Sequence, residues 1–322
     1  MKTRPSAQQG AALLTAMIIV TLVAALAAAM TWRQTRAVQV EAAERARVQS
    51  AWMLQGALDW ARLILREDAI ADQNSGGKRF WDHLGEPWAV PLAEARLSTF
   101  LAAQDPNGSG DASDGPEAFL SGRIEDAQAR YNLRNLMNDT ATTHDEQLTL
   151  ERLCASAGVP QGTASLIASR LRAALITPPG DEPPLAPVNV TQLSWFGLPP
   201  EVIAKLEPLL TILPNATPVN LNTASSTVIA GVLNVNLSEA EILVRSRASA
   251  PLANTQAAQL FLPLNTPLPA ARVSVHSDYF YVTGRLRLDE HVLQQRSLLN
   301  RNVFIIRVLT RERVSESAQT AP

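Results

Sequence analysis

The sequence predicts an α+β protein in which one long N-terminal helix packs on a small antiparallel sheet and a large all-helical insertion interrupts that sheet. Three observations predict this architecture. An uncharged apolar run near the N-terminus leads into an amphipathic helical pattern. The middle of the chain repeats with a helical period, and the segments on both sides of it alternate as strands do.

Composition excludes several functional classes. The chain has 322 residues, of which 46% are apolar and 18% charged, and its net charge of −2 gives no electrostatic footprint for nucleic acid. The single cysteine, Cys154, lies in an apolar helical run and is predicted to be a buried thiol. The four histidines are scattered without zinc-ligand spacing, and the sequence contains no Gly-x-Ser-x-Gly motif. We therefore expect no enzyme.

Residues 11–30 carry no charge and are long enough, at about 1.5 Å per residue, to cross a hydrocarbon core of roughly 30 Å. A signal peptide would have an apolar run of about 7 to 15 residues and then change character. Here the helical pattern continues to residue 68, which predicts one helix of about 55 residues. A membrane anchor followed by a linker is the alternative. We expect residues 1–10 to stay in the cytoplasm, although arginines follow the span as well as precede it.

The segment MKTRPSAQQG and the apolar helix after it resemble the class III prepilin leader of type IV pilins and type II secretion pseudopilins. Gly10 matches the residue before the cleavage point, so the resemblance implies that a prepilin peptidase cuts there and methylates Ala11. Most members have a glutamate at the fifth mature position, where this chain has Thr15. A carboxylate in lipid is costly unless it is paired. Thr15 therefore suits a subunit with no neighbour above it, or it is ordinary transmembrane sequence.

Two further segments resemble minor pseudopilin K of the type II secretion system. In SGRIEDAQARYNL the matching residues are Gly122, Ile124, Asp126, Tyr131, Asn132 and Leu133, and in NLNTA they are Asn220, Asn222 and Thr223. Asp126 and Asn132 are expected to bond backbone groups at turns between the sheet and the helices. NLNTA is also similar to the entry of helix-hairpin-helix units, so a membrane-anchored DNA-binding protein is the alternative function. A hairpin without Gly-x-Gly and few nearby basic residues argue against it.

Residues 105–116 overlap the first half of a calcium-binding loop, but position 12 is Pro116 where a bidentate glutamate is needed. This leaves a solvated loop or a calcium site as the alternatives. The calcium candidates are Asp105, Asn107, Asp111 and Asp114. No other cofactor is expected.

The predicted segments follow one another as leader (1–10), transmembrane half of the helix (11–30), periplasmic half (31–68), first part of the sheet (69–140), helical insertion (141–265), second part of the sheet (266–313) and disordered tail (314–322). A longer turn region is predicted between strands near 271–289 and 302–312. The resemblance implies a single-pass inner-membrane protein with a periplasmic C-terminal domain. It also implies partnership with minor pseudopilins I and J and other pseudopilus subunits at the filament tip, supporting protein export.

Overall fold

The computed structural model describes residues 9–74, 81–97, 118–137, 140–176, 184–288 and 291–314. The chain divides into two compact units, Met1–Gln55 and Gly56–Pro322. Helix α1 (Gln9–Asn74) runs through both units.

The described part of the first unit is helical throughout. Among the described residues α1 is the one helix long and apolar enough to cross a membrane. Its threonine hydroxyls donate to carbonyls one turn back, as Thr21 does to Ile18 (2.9 Å) and Thr31 to Ala27 (2.9 Å). Polar hydroxyls are thereby satisfied within the helix itself.

Helix α1 is longer than predicted, with 66 residues, because it ends at Asn74 and not at residue 68. Residues 69–74 contain neither proline nor glycine, so nothing in their backbone chemistry ends the helix. The next residues are Ser, Gly and Gly, which are typical of a helix end.

Five of the described strands in the second unit form one antiparallel sheet. Across the sheet they lie in the order β1 (Leu92–Arg96), β2 (Ala118–Asp126), β7 (Tyr279–Leu288), β8 (His291–Asn302) and β9 (Ile305–Val314). Because β2 pairs directly with β7, the chain between them leaves the sheet and returns to it. That excursion contains the helices.

Strand β8 corrects the prediction of a turn region before residue 302. Gln294, Gln295 and Arg296 dilute its apolar pattern, so local sequence did not indicate a strand. The strand forms because it pairs with β7 on one side and with β9 on the other. Tertiary pairing of this kind overrides a weak local preference.

The segment after β2 also differs from the expected alternating strands. It forms short 3-10 turns at Ala127–Ala129 and Leu133–Met137 around the two-residue strand β3 (Tyr131–Asn132). Strand β3 pairs in parallel with β4 (Leu210–Thr211). A second parallel pair joins β5 (Val219–Asn220) to β6 (Val273–Ser274). These pairs tie the inserted chain to the segments that leave and re-enter the sheet.

The inserted chain is mainly helical, as predicted. Its described α-helices are α2 (Thr140–Ser156), α3 (Thr163–Ile176), α4 (Pro200–Leu206), α5 (Ser226–Leu233) and α6 (Leu237–Ser249). Two 3-10 helices, Val190–Phe196 and Thr255–Phe261, accompany them. Side chains of Asn189, Ser225, Asn236 and Asn254 accept N–H groups at helix starts, which is the usual chemistry of a helix N-cap.

The second unit has separate cores for its helices and its sheet. The helical core includes Leu150, Leu153, Ile167, Leu171, Leu193 and Val228. In the sheet core, Leu58 and Leu65 of α1 pack with Trp88 and Phe280. The Trp88 and Phe280 rings meet edge to face with centroids 5.2 Å apart, a favoured aromatic geometry. The predicted packing of the long helix on the sheet is therefore confirmed.

Candidate functional site

The predicted processing site lies at the start of α1. Gly10 is within the helix, and Ala11 follows it as an exposed residue. The Thr15 hydroxyl donates hydrogen bonds to Ala11 O (2.8 Å) and Ala12 O (3.0 Å). The Thr15 hydroxyl is therefore satisfied within its own helix.

Asp126, at the end of β2, is the centre of the predicted signature. Its Oδ1 accepts the N–H of Gln128 (2.7 Å) and so caps the turn after the strand. Its Oδ2 accepts from Asn220 Nδ2 (3.0 Å), Thr223 Oγ1 (2.6 Å) and Ser277 Oγ (2.6 Å). Two segments that resembled pseudopilin K separately thus meet at one buried carboxylate.

A second buried carboxylate, Asp82, lies beside the first. It forms an ion pair with Arg301, whose guanidinium also donates to Ser277 O (2.8 Å). Ser277 N donates to Asp82 Oδ2 (2.7 Å), and Asn220 Nδ2 lies 3.2 Å from Asp82 O. Ser277 contacts both carboxylates, and Asn220 contacts the Asp126 carboxylate and the Asp82 backbone carbonyl. We call Asp82, Asp126, Asn220, Ser277 and Arg301 the polar hub.

The polar hub joins the sheet to the inserted chain. Asp126 belongs to β2, Arg301 to β8 and Asn220 to β5, while Asp82 lies in the loop before β1. Arg301 Nη1 also donates to Asp68 Oδ2 of α1 (3.0 Å). A single guanidinium therefore holds the helix, the sheet and the loop together.

Burial raises the pKa of Asp82, but contact with His276 and the charge of Arg301 outweigh burial and lower this pKa overall. Burial raises the pKa of Asp126 in spite of its four donors. Burial also raises the pKa of Asp68 to about 6, although Arg301 opposes the shift. Of these three carboxyl groups, Asp82 is thus the one whose pKa the site lowers, and it lies opposite the guanidinium.

Asn132 fixes a loop of the inserted chain, which is more than the turn predicted for it. Its Oδ1 accepts from Arg134 N (3.0 Å) and Leu213 N (3.1 Å), and its Nδ2 donates to Asn215 O (2.7 Å). Asn135 exchanges two hydrogen bonds, each of 2.9 Å, with the backbone of residue 217. The asparagines in this part of the signature therefore hold the loop by hydrogen bonds to its backbone groups.

The other signature residues are structural as well. Tyr131 is buried and donates its hydroxyl to Glu146 Oε2 (2.9 Å), and Leu133 is fully buried. Asn222 accepts from Leu252 N (2.9 Å) and donates to Leu252 O (3.0 Å). These bonds hold the start of the helical hairpin against the following loop.

Gly122 and Ile124 lie in β2, where it pairs with β7. A Cβ at Gly122 would lie only 2.9 Å from Thr283 O, so a side chain at this position would push the two strands apart. Ile124 is buried in the sheet core.

Sequence reasoning missed Asp82 and Arg301, which lie 219 residues apart. The one local signal was a charged residue, Asp82, inside the apolar-aromatic run FWDHLGEPW. A buried carboxylate needs a positively charged partner. This run therefore indicates that a cation from elsewhere in the chain contacts Asp82, but it does not show which residue supplies the cation.

The calcium candidates Asp105, Asn107, Asp111 and Asp114 lie outside the described residues. Within the described ranges, Asp68, Asp82 and Glu86 bring carboxylate oxygens within 4.8 Å of one another. Arg301 binds the first two, and Glu86 Oε2 accepts from Trp88 Nε1 (2.6 Å). The positive charge at this cluster is thus supplied by the protein itself.

Two turn amides of the helical hairpin between α5 and α6 are engaged within the chain. Val235 N donates to Ala230 O (3.2 Å) and Asn236 N to Glu239 Oε2 (3.0 Å). The Glu239 carboxylate also brings negative charge to the turn. Nucleic-acid binding through this hairpin would require both features to change.

Cys154 is buried in the helical core, and burial raises the pKa of its thiol to about 11. A thiol in this environment is a poor nucleophile at neutral pH. Its position agrees with the structural role predicted from the sequence.

One N-terminal membrane-length helix, whose later part packs on an antiparallel sheet, is an arrangement that resembles pilin-like proteins. No protein-family profile matches the chain. Two curated relatives, however, are both named type II secretion system protein K. The relative from Pseudomonas aeruginosa is 28% identical over 74% of this chain and 72% of its own length. The relative from Pectobacterium carotovorum is 26% identical over 95% of this chain and 97% of its own length.

A solved structure has the same fold. One chain in the crystal structure of the GspK-GspI-GspJ complex from the enterotoxigenic Escherichia coli type 2 secretion system matches with a TM-score of 0.63 and 19% identity. The match covers 85% of this chain and 99% of that one. The resemblance to minor pseudopilin K, indicated by the sequence motifs, is confirmed.

We expect Arg301→Met to lower the free energy of unfolding by about 3 to 5 kcal/mol, because it leaves a buried carboxylate without its cation. Denaturant unfolding of the full chain in detergent measures the change. Arg307→Met, an exposed change in the next strand, is the matched control and should cost less than about 0.5 kcal/mol. Similar losses for the two variants would contradict a central role for the polar hub.

Stability should fall as pH rises from 6.5 to about 9 because of His276. Burial lowers the pKa of His276, but contacts with Asp278 and Asp82 outweigh burial and raise it from 6.5 to about 9. Below pH 6.5 both states hold the proton, and at higher pH the unfolded state releases it first. Unfolding of the full chain across this range should show a slope that His276→Gln reduces. An unchanged slope in that variant would disprove the assignment.

Proposed function

We propose that this chain is the tip subunit of a type II secretion pseudopilus, which joins minor pseudopilins I and J, initiates the filament and supports export of folded proteins across the outer membrane. The observation that carries the proposal is its sequence similarity to two proteins named type II secretion system protein K, over 74% and 95% of this chain. The complex that contains the solved structural match supports the choice of partners.

Helix α1 supports the proposed topology because its N-terminal part is long and apolar enough to be an anchor in the inner membrane. In this proposal the unit Gly56–Pro322 lies in the periplasm. A prepilin peptidase cleaves after Gly10 and leaves Ala11 as the new N-terminus. Small residues such as Ala24 and Ala27 to Ala29 allow another helix to approach closely in the membrane.

Thr15 supports a terminal position in the filament. The glutamate usual at this position in pilins needs a partner, because a carboxylate in lipid is costly when unpaired. The Thr15 hydroxyl instead bonds to Ala11 O within its own helix. This subunit can therefore sit where no neighbouring subunit supplies a positive group.

The place of the helical insertion gives a second, independent support. The inserted chain leaves the sheet after Asp126 and returns at Tyr279, and Asp126 meets Arg301 through the polar hub. Arg301 in turn contacts Asp68, near the C-terminal end of α1. The helices thus occupy the end of the sheet that this helix end reaches, where a further stacked subunit would collide with them.

The proposal is tested by locating the chain on assembled pseudopili. A gold-labelled tag in the full chain, expressed with the other pseudopilins, should mark one end of each filament. The same tag on the major pseudopilin is the control and should mark the whole length. Label along the filament, or filaments that form equally well without this chain, would contradict a tip-initiating role.

A further inference from the structure

Strand β9 forms one edge of the sheet and is ten residues long. Within the described residues the one strand it pairs with is β8, in a register broken only around Leu309. Near its start, Ile306 O already accepts two hydrogen bonds from Arg62 of α1 (3.0 and 3.2 Å), so the edge open to another chain lies beyond Ile306. The opposite edge, β1, has five residues and an irregular register with β2. Short, irregular edges resist strand addition, whereas a long edge offers unpaired N–H and C=O groups to another chain. The two edges therefore differ in what they can bind.

The side chains of β9 give this edge a positive charge. Arg307, Arg311 and Arg313 are exposed, and in the described part of the chain none of them forms an ion pair. The strand's one acid, Glu312, is half-buried and accepts from Asn189 Nδ2 (2.9 Å). Three cations thus face solvent along a strand in a protein whose net charge is −2.

Aliphatic side chains lie beside these cations along the strand. Ile305 is 56% exposed, Leu309 41% and Val314 37%. A strand that added to β9 would contact them while its own backbone paired with the edge beyond Ile306. Binding would therefore combine main-chain hydrogen bonds, apolar burial and ion pairs.

The positive charge of the β9 edge determines which kind of strand can bind there. A second copy of this chain would bring arginines against arginines, and like charges opposite one another across strands are destabilising. An extended strand that carries carboxylates would pair with them instead. We propose that β9 is a docking edge for an extended, acid-bearing strand of a partner pseudopilin, an inference that depends on the proposed function.

The first test is assembly of the full chain with full-length minor pseudopilins I and J in detergent. Arg311→Glu/Arg313→Glu should weaken the complex about tenfold or more, because it places carboxylate against carboxylate. Arg170→Glu/Arg172→Glu on α3 changes the total charge equally at two exposed arginines and is the matched control. The control should assemble like the unaltered chain. Equal assembly of both variants would overturn the proposal.

Amide hydrogen exchange separates strand addition from general charge attraction. Complex formation should slow exchange in residues 305–314 about tenfold or more, because added backbone bonds protect these amides. Unchanged exchange in an intact complex would overturn docking at β9 and leave the proposed function standing.

Failure of the unaltered chain to assemble with I and J would overturn both the docking at β9 and the proposed function. A third result, faster β9 exchange in the free chain after deletion of residues 315–322, would show that the chain's own tail occupies the edge and would also overturn the proposal.

Discussion

The second unit depends on the buried ion pair between Arg301 and Asp82. Neither group can be buried alone at reasonable cost, so the pair requires the loop before β1 and strand β8 to meet. Ser277 and Asn220 then connect this pair to Asp126, and through it to the start of the helical insertion. The connection is specific because donors of the polar hub meet acceptors from several segments at once: Asn220 Nδ2 lies near Asp82 O and Asp126 Oδ2, and Arg301 bonds to Asp82 and Ser277 O. Apolar packing alone would allow the helices to slide on the sheet.

The spacing of apolar residues along the chain predicted much of the secondary structure, but it did not predict the contacts of the polar hub. The apolar run of α1 and the alternation in β7 and β9 are strong local signals, and they predicted those elements correctly. Strand β8 was missed because its polar residues hide the alternation, and pairing on both sides stabilises it instead. Asp126 and Asn220 were singled out through separate motifs, yet their contact across 94 residues has no local signature. Arg301 had no signal at all, since only the folded chain brings it to Asp82.

The signature residues hold the framework together. Asn132 and Asn222 direct side-chain bonds to backbone groups of other segments, and Asp126 accepts bonds from side chains of other segments, which positions the insertion on the sheet. The one thiol is buried among apolar side chains. What the molecule presents to solvent is a long helix, a helical insertion and a charged sheet edge. These are the features expected of an assembly subunit, whose energetic contribution lies in contacts with its neighbours.

A processed pseudopilin and a protein held by an uncut anchor differ at the N-terminus. We would therefore determine the N-terminal sequence and mass of the full chain, expressed with and without a prepilin peptidase. For a processed pseudopilin we expect cleavage after Gly10 and one added methyl group on Ala11, only when the peptidase is present. An uncut chain, or cleavage near residue 30, would contradict it and return the protein to the class of membrane-anchored periplasmic domains.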